Sequence, residues 1–272
     1  MRSARIVVFA VLAVLAVPGA SSIGRAYAQA VDLKNYRLVD LTHPFNERTL
    51  YWPTAPSTFK LQSLAFGPTP AGYFYSANAF SAPEHGGTHL DAPVHFFRTG
   101  RTADQIPLEQ LIAPAVVIDV SSQTARDPDY RLTRTDVLTW EQKNGNIAAG
   151  SIVLLRTGWG SRWPNARAYL GDDTPGDASK LHFPSFGAEA ARYLVGVRKA
   201  AALGADVASI DYGASKDFIV HQIAAAANVA GLENIANLGQ LPLLGATVIA
   251  LPMKIERGSG GPLRIIALVP RR

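Results

Sequence analysis

Apolar runs and polar, charge-punctuated segments alternate along this chain, and the period of each segment selects an element. Ala115-Val-Val-Ile-Asp-Val120 and Ser151-Ile-Val-Leu-Leu-Arg156 are short, nearly continuous apolar runs, which predict strands buried on both faces. Arg37-Leu-Val-Asp-Leu-Thr-His43 alternates, and predicts a first strand that stops at the His43-Pro44 pair. Thr247 to Leu251 and Leu263 to Val269 predict two closing strands, and Ala208-Ser-Ile-Asp211 reads as the end of another. Thr133 and Asp136 open a helix that stops near Asn144-Gly145. A second helix is predicted from about Ala188 to Leu203, with Gly204 as its stop. A third runs from about Asp217 to Ala230, carries His221 and ends at Gly231. Strands alternating with helices predict an α/β fold without giving the strand order. There is no internal repeat.

Between the first strand and residue 80 the punctuation changes. Phe66-Gly-Pro-Thr-Pro-Ala-Gly72 is dense in Pro and Gly and predicts a loop. Trp52, Phe59 and Phe74 lie around it, and are candidates for the wall of an apolar pocket that takes an aromatic substrate. Ordinary core and loop packing would use the same residues. Asp172-Asp-Thr-Pro-Gly-Asp177 lacks EF-hand spacing and reads as a solvated loop.

The N-terminus has a different pattern. Arg2 and Arg5 precede the uncharged apolar run Ile6 to Val17, and small-residue sites follow at Ala26-Tyr27-Ala28 and Ala28-Gln29-Ala30. This is the layout of a secretory signal peptide, too short to span a membrane, with a retained anchor as the alternative. Residues 1–28 are therefore expected to be a signal, cleaved after Ala28 or Ala30. Residues 29–272 are expected to form one exported, periplasmic domain without membrane attachment. Removing that segment takes Arg2, Arg5 and Arg25 but no acid, leaving 23 basic and 21 acidic residues and lowering the net charge from +5 to +2. The basic pI is then no argument for nucleic acid, and no basic cluster interleaved with aromatics revives one. With no cysteine, disulfides and thiolate metal ligands are excluded.

The chemistry concentrates in Glu84-His85-Gly86-Gly87-Thr88-His89-Leu90-Asp91-Ala92-Pro93-Val94-His95. Three of the six histidines fall there with an aspartate among them, and imidazole and carboxylate are the ligands that Zn, Mn or Fe accept. His85 and His89 have helical spacing, but Gly86 and Gly87 each cost about 1 kcal/mol in a helix. A turn followed by a short strand fits better, with His89 and Asp91 on one face. His43 reads as a strand-end histidine, structural more often than a ligand.

The run H-x-G-T-H-x-D-x-P-x-H, met at His85, Gly87, Thr88, His89, Asp91, Pro93 and His95, resembles the signature of the cyclase family, which includes bacterial kynurenine formamidases and isatin hydrolases. Glu233-Asn-Ile-Ala-Asn-Leu238 is similar to a later E-N-L-x-N-L segment of that family, with Ile for one Leu. Arg156-Thr-Gly-Trp159 and Gly204 to Asp211 also look like family segments, so the resemblance runs from about Val39 to the C-terminus. It implies a swivelling β/β/α fold, a mixed sheet or flattened barrel with helices outside. It also implies a first metal ion on His85, His89 and Asp91, and a second ion, or a place for one, at Asp91, His221 and Glu233. His95 corresponds to the family's catalytic histidine. The alternative for Glu233 is a place behind the ligands, orienting them. The ion is Mn or Zn, one or two per chain.

The activity so implied is hydrolysis of a C–N amide bond in a small aromatic or cyclic molecule. Isatin, opened to isatinate, is favoured over N-formylkynurenine because of the export signal and the long aromatic segment before the motif. An exported metal- or ligand-binding protein without turnover is the reading from another class, and a cyclase or dehydratase is a third. The family also implies a homodimer or larger homo-oligomer.

Overall fold

The structure, a computed structural model, describes residues 32–271. The signal-peptide reading lies outside those residues. Lys34–Arg272 forms a compact unit, and no helix among the described residues is long and apolar enough to cross a membrane.

Among the described residues twelve strands follow in chain order: β1 Tyr36–Asp40, β2 Lys60–Pro68, β3 Phe74–Ser81, β4 His89–Asp91, β5 Ile112–Asp119 and β6 Arg131–Leu132. After them come β7 Ile152–Arg156, β8 Ser185–Phe186, β9 Ala202–Ala205, β10 Ala230–Glu233, β11 Ala246–Pro252 and β12 Gly260–Pro270. The main sheet runs β1-β12-β11-β5-β7-β9-β10-β4, and a further pairing of β4 with β12 closes it. Closure is possible because β12 is long. On one edge its residues Gly260 to Pro262 pair with β4, and Ile266 to Pro270 pair with β1. The result is a mixed sheet closed into a flattened barrel, with β5, β7, β9 and β10 parallel and β4, β11 and β12 antiparallel to their neighbours.

Successive strand residues face opposite sides, and two cores follow from this. Ala115, Val117, Ile152 and Leu154 pack inside the barrel with Leu90, Leu232 and Ile265. Val116, Ile118, Val153 and Leu155 face outward against Val137, Trp140, Leu194 and Val220 of the covering helices. At about 25 cal/mol per Å² of apolar surface this double burial is the main stabilising term. The predicted strands at 37–43, 115–120, 151–156, 247–251 and 263–269 all form within a few residues. The helix Arg134–Asn144 also forms as expected: the Thr133 side chain accepts the Asp136 N–H, and Gly145 ends the helix at φ 88°.

Four expectations are corrected. The helix expected over 188–203 stops at Arg192, continues as one wide turn to Val197, and gives way to β9. Gly204 is then no helix stop but a mid-strand residue. A Cβ there would lie 2.8 Å from both Ile235 and Leu154. The helix expected over 217–230 spans only Ile219–Ala226, and Ala230–Glu233 is the buried strand β10. In both places pairing within the barrel outweighs an Ala-rich local preference for helix. The strand ending at Asp211 is displaced upstream to β9, leaving Asp211 a single bridge to Phe186.

The fourth correction concerns the presumed loop around residue 70. It is the turn of the hairpin β2–β3, closed by Thr69 and Gly72. This hairpin pairs with no strand of the main sheet, and Leu61, Leu64, Phe66, Phe74 and Phe80 on it are exposed.

Candidate metal centre

The short strand β4 does most of the assembly. Its antiparallel register with β10 sets His89 opposite Glu233 and Asp91 opposite Gly231. On the other side Asp91 faces Gly260 of β12. Two glycines flanking Asp91 leave room for its carboxylate: a Cβ on Gly231 would already lie 3.4 Å from Asp91 Oδ2. His221 arrives from the first turn of the helix Ile219–Ala226, 3.1 Å through Nε2 from both Asp91 Oδ2 and Glu233 Oε1. His85 comes from the Gly-rich turn before β4, with Nδ1 2.6 Å from Asp91 Oδ1. His89 Nδ1 donates to the Gly87 carbonyl at 3.0 Å. That bond turns Nε2 toward Asp91 at 3.2 Å and Glu233 at 3.4 Å.

Every sequence-derived member of the cluster therefore meets at one place. Two overlapping sets of donors could each hold a cation: His85, His89 and Asp91, and Asp91, His221 and Glu233. All but His85 are buried.

The electrostatics fit a divalent ion. Burial pushes the Glu233 carboxyl up, and the neighbouring Asp91 charge adds to the rise. Burial would do the same to Asp91, but the charge of His89 and hydrogen bonds from His221, His85 and His89 hold it well below the usual range. Burial alone would lower His89, yet Asp91 and Glu233 carry it up to about 9. His221 goes well above its usual value, against burial, through Asp211, Asp91 and Glu233. With protein groups alone, the buried carboxylates must draw protons onto imidazoles to balance their charge. A divalent cation supplies that balance, and imidazole nitrogens with carboxylate oxygens are its ordinary ligands.

His95 stands apart from both donor sets. It follows β4 on the 3₁₀ turn Pro93–His95 and stacks on His85 with ring centroids 3.8 Å apart. Burial is the first cause that lowers it from 6.5 to about 4, with His85, His221 and His89 adding to the fall and Asp91 opposing it. Its ring opens onto the cavity. The imidazole is neutral at pH 7.

The cluster forms the floor of a cavity of about 290 Å³, lined also by Tyr51, Trp52, Phe96 and Phe218. That is near the small end of the roughly 300–1,000 Å³ common for ligand sites. Trp52 thus stands where its sequence neighbourhood suggested. Phe59 and Phe74 do not line this cavity. Phe59 stacks on Phe80 at 6.1 Å and Phe74 packs edge-on to Phe66 at 5.2 Å, both against residues of the separate hairpin β2–β3. His43 is structural here, stacked on Trp163 at 4.3 Å.

Asp211 and Asn234 were missed as site residues. Asp211 holds His221, and Asn234 Nδ2 donates to the same Gly87 carbonyl that His89 uses. Both lie in segments that resemble the family, which was the available signal.

A closed mixed sheet with a buried histidine–carboxylate centre on the floor of an aromatic cavity defines a metal-site α/β domain. Its sequence matches the Cyclase family over residues 39–212, and the chain belongs to that family. It is 38% identical over 209 residues to the isatin hydrolase of Roseibium aggregatum, covering 74% of this chain and 77% of that protein. It is 30% identical over 230 residues to the kynurenine formamidase of Sphingopyxis alaskensis, covering 85% of this chain and 97% of that protein. A crystal structure of an isatin hydrolase bound to the product analogue thioisatinate superposes with a TM-score of 0.79 at 33% identity, covering 88% of this chain and 94% of that one.

Proposed function

We propose that this protein is a divalent-metal-dependent hydrolase that opens a C–N amide bond in a small aromatic or cyclic substrate, with isatin as the favoured one. The observation that carries the reading is the convergence of His85, His89, Asp91, His221 and Glu233 on the floor of an aromatic cavity with His95 beside them. The relatives named above support the bond type, and the 38% identity to an isatin hydrolase supports the substrate.

When bound, a divalent cation supplies Lewis acidity, which makes water nucleophilic near neutral pH and polarises a carbonyl. His85, His89 and Asp91 would hold it, with Asp91, His221 and Glu233 offering a second place. Trp52, Phe96 and Phe218 line the cavity, where they would border the flat face of an aromatic substrate and exclude water from it. His95, neutral and on the cavity wall, accepts a proton from the attacking water and returns it to the leaving nitrogen. Isatin plus water then yields isatinate, with one C–O bond formed, the lactam C–N bond broken and one proton released. Nitrogen and oxygen donors suit both Mn and Zn.

N-formylkynurenine is the second reading, supported by the 30% identity to a formamidase. Metal content of the purified protein, with turnover of isatin and N-formylkynurenine before and after chelation, tests the proposal. Chelator-sensitive opening of isatin supports it, and turnover of N-formylkynurenine alone reverses the substrate. Absence of metal after reconstitution with either ion would sink it.

Export and self-association are proposals as well. The N-terminal pattern supports the first, and the exposed apolar side chains of β2 and β3 support a homodimer or larger assembly. N-terminal sequencing of the mature chain and sedimentation equilibrium would test them.

A further inference from the structure

Behind His85, on the side away from the other donors, lies a short chain of hydrogen bonds. His85 Nε2 is 2.9 Å from Ser259 Oγ. Glu84 Oε2 accepts both the Ser259 hydroxyl and, at 2.9 Å, the Ser259 N–H. The Ser259 hydroxyl spends its single proton on Glu84 Oε2, so its oxygen offers lone pairs to His85 Nε2. Nδ1 is the ring nitrogen that faces Asp91 and, beyond it, His89. A cation held among those donors would take the Nδ1 lone pair in place of the proton shared there with Asp91, and would leave the ring proton on Nε2, donated to Ser259.

The ring is also clamped. His95 stacks on one face, and Gly260 is so close that a Cβ there would lie 2.7 Å from His85 Cε1. Gly258 packs on Glu84, a Cβ there falling 3.0 Å from Oε1. The run Gly258-Ser259-Gly260 is thus a cradle for the Glu84–His85 pair, built 174 residues away in sequence.

We propose that Glu84 and Ser259 are positioning residues that hold His85 as its Nε2–H tautomer and so set the affinity of the centre for its cation. The inference rests on His85 being a ligand, as proposed above. The test is the dissociation constant of Zn²⁺ for apoprotein, measured by competition with a chromophoric chelator. Ser259→Ala and Glu84→Gln should each weaken binding by about 10–100-fold, the usual effect of losing such a partner. Ser259→Thr, which keeps the hydroxyl, should restore it to within threefold or so of the parent. Melting of the apoproteins separates this from misfolding. Independently of any substitution, ¹⁵N-resolved NMR of the zinc-loaded parent should show the His85 proton on Nε2, and a proton on Nδ1 overturns the proposal. So does parental affinity in Ser259→Ala when His85→Ala has lost the metal. Should His85→Ala also bind zinc like the parent, the ligand assignment itself fails.

Discussion

His221 is held by Asp211 through its ring and its backbone at once. Asp211 Oδ2 lies 2.7 Å from His221 Nδ1 and accepts the His221 N–H at 3.0 Å, while Oδ1 accepts the N–H of Val220 at 3.0 Å. One carboxylate therefore caps the helix Ile219–Ala226 and aims Nε2 of its histidine at Asp91 and Glu233. Asp211→Asn keeps the shape but loses the charge and one acceptor. It should weaken metal binding by about 10–100-fold and lower stability by about 1–2 kcal/mol. Chelator competition and urea unfolding would read both, and parental values in both would remove Asp211 from the site.

Asp91 is shared by both donor sets, so it is the residue whose loss should cost most. Asp91→Ala should leave purified protein without bound metal by elemental analysis. Metal content equal to the parent's would defeat its assignment as a ligand.

His95 lies outside both donor sets but faces the same cavity. His95→Ala should therefore retain metal while kcat falls by about 100-fold or more, the usual worth of a positioned proton-transfer group. Joint loss of metal and turnover would make it a ligand instead.

His43 gives a pH dependence free of the metal. Burial lowers it from 6.5 to about 4, and its Nε2 is buried without a partner. Between those values the unfolded chain binds the proton and the folded chain does not. The stability associated with neutral His43 is thus complete above pH 6.5 and is lost as pH falls toward 4. Allowing for partial exposure, the loss is about 1–2 kcal/mol. His43→Phe keeps the stack on Trp163 and cannot titrate, so its unfolding free energy should fall less than the parent's between pH 7 and 4.5. Parallel curves would contradict this.

Gly260 is fixed by contact and not by backbone angle. A Cβ there would lie 2.4 Å from the Leu90 carbonyl, inside the β4–β12 pairing. Gly260→Ala should cost about 1–3 kcal/mol and displace His85, seen as a lowered melting temperature with weaker metal binding. An unchanged melting temperature would show that β12 can yield.

The parts legible in the sequence share one property: their causes lie within a few residues. His85, His89, Asp91 and His95 fall within eleven positions of one turn and strand, so the donor types and their spacing were visible together. Strands β5, β7, β11 and β12 carry their own burial pattern, and the helix Arg134–Asn144 carries its own cap. Joining His221 and Glu233 to that group needed family resemblance, because no local pattern connects residues 130 and more positions apart.

Tertiary structure alone decided the rest. Ala202–Ala205 and Ala230–Glu233 read locally as helix ends, and they became strands because closing the barrel pairs them on both sides. That closure sets Glu233 opposite His89 and brings Ser259 behind His85, while Phe74 lies on a separate hairpin against which Phe59 packs. Which chemistry this protein carries follows from ligand type and local strand pattern, and both are short-range properties. Which residues share the site, and which only support it, was decided by strand register, a property of chain segments distant in sequence that meet only in the folded state.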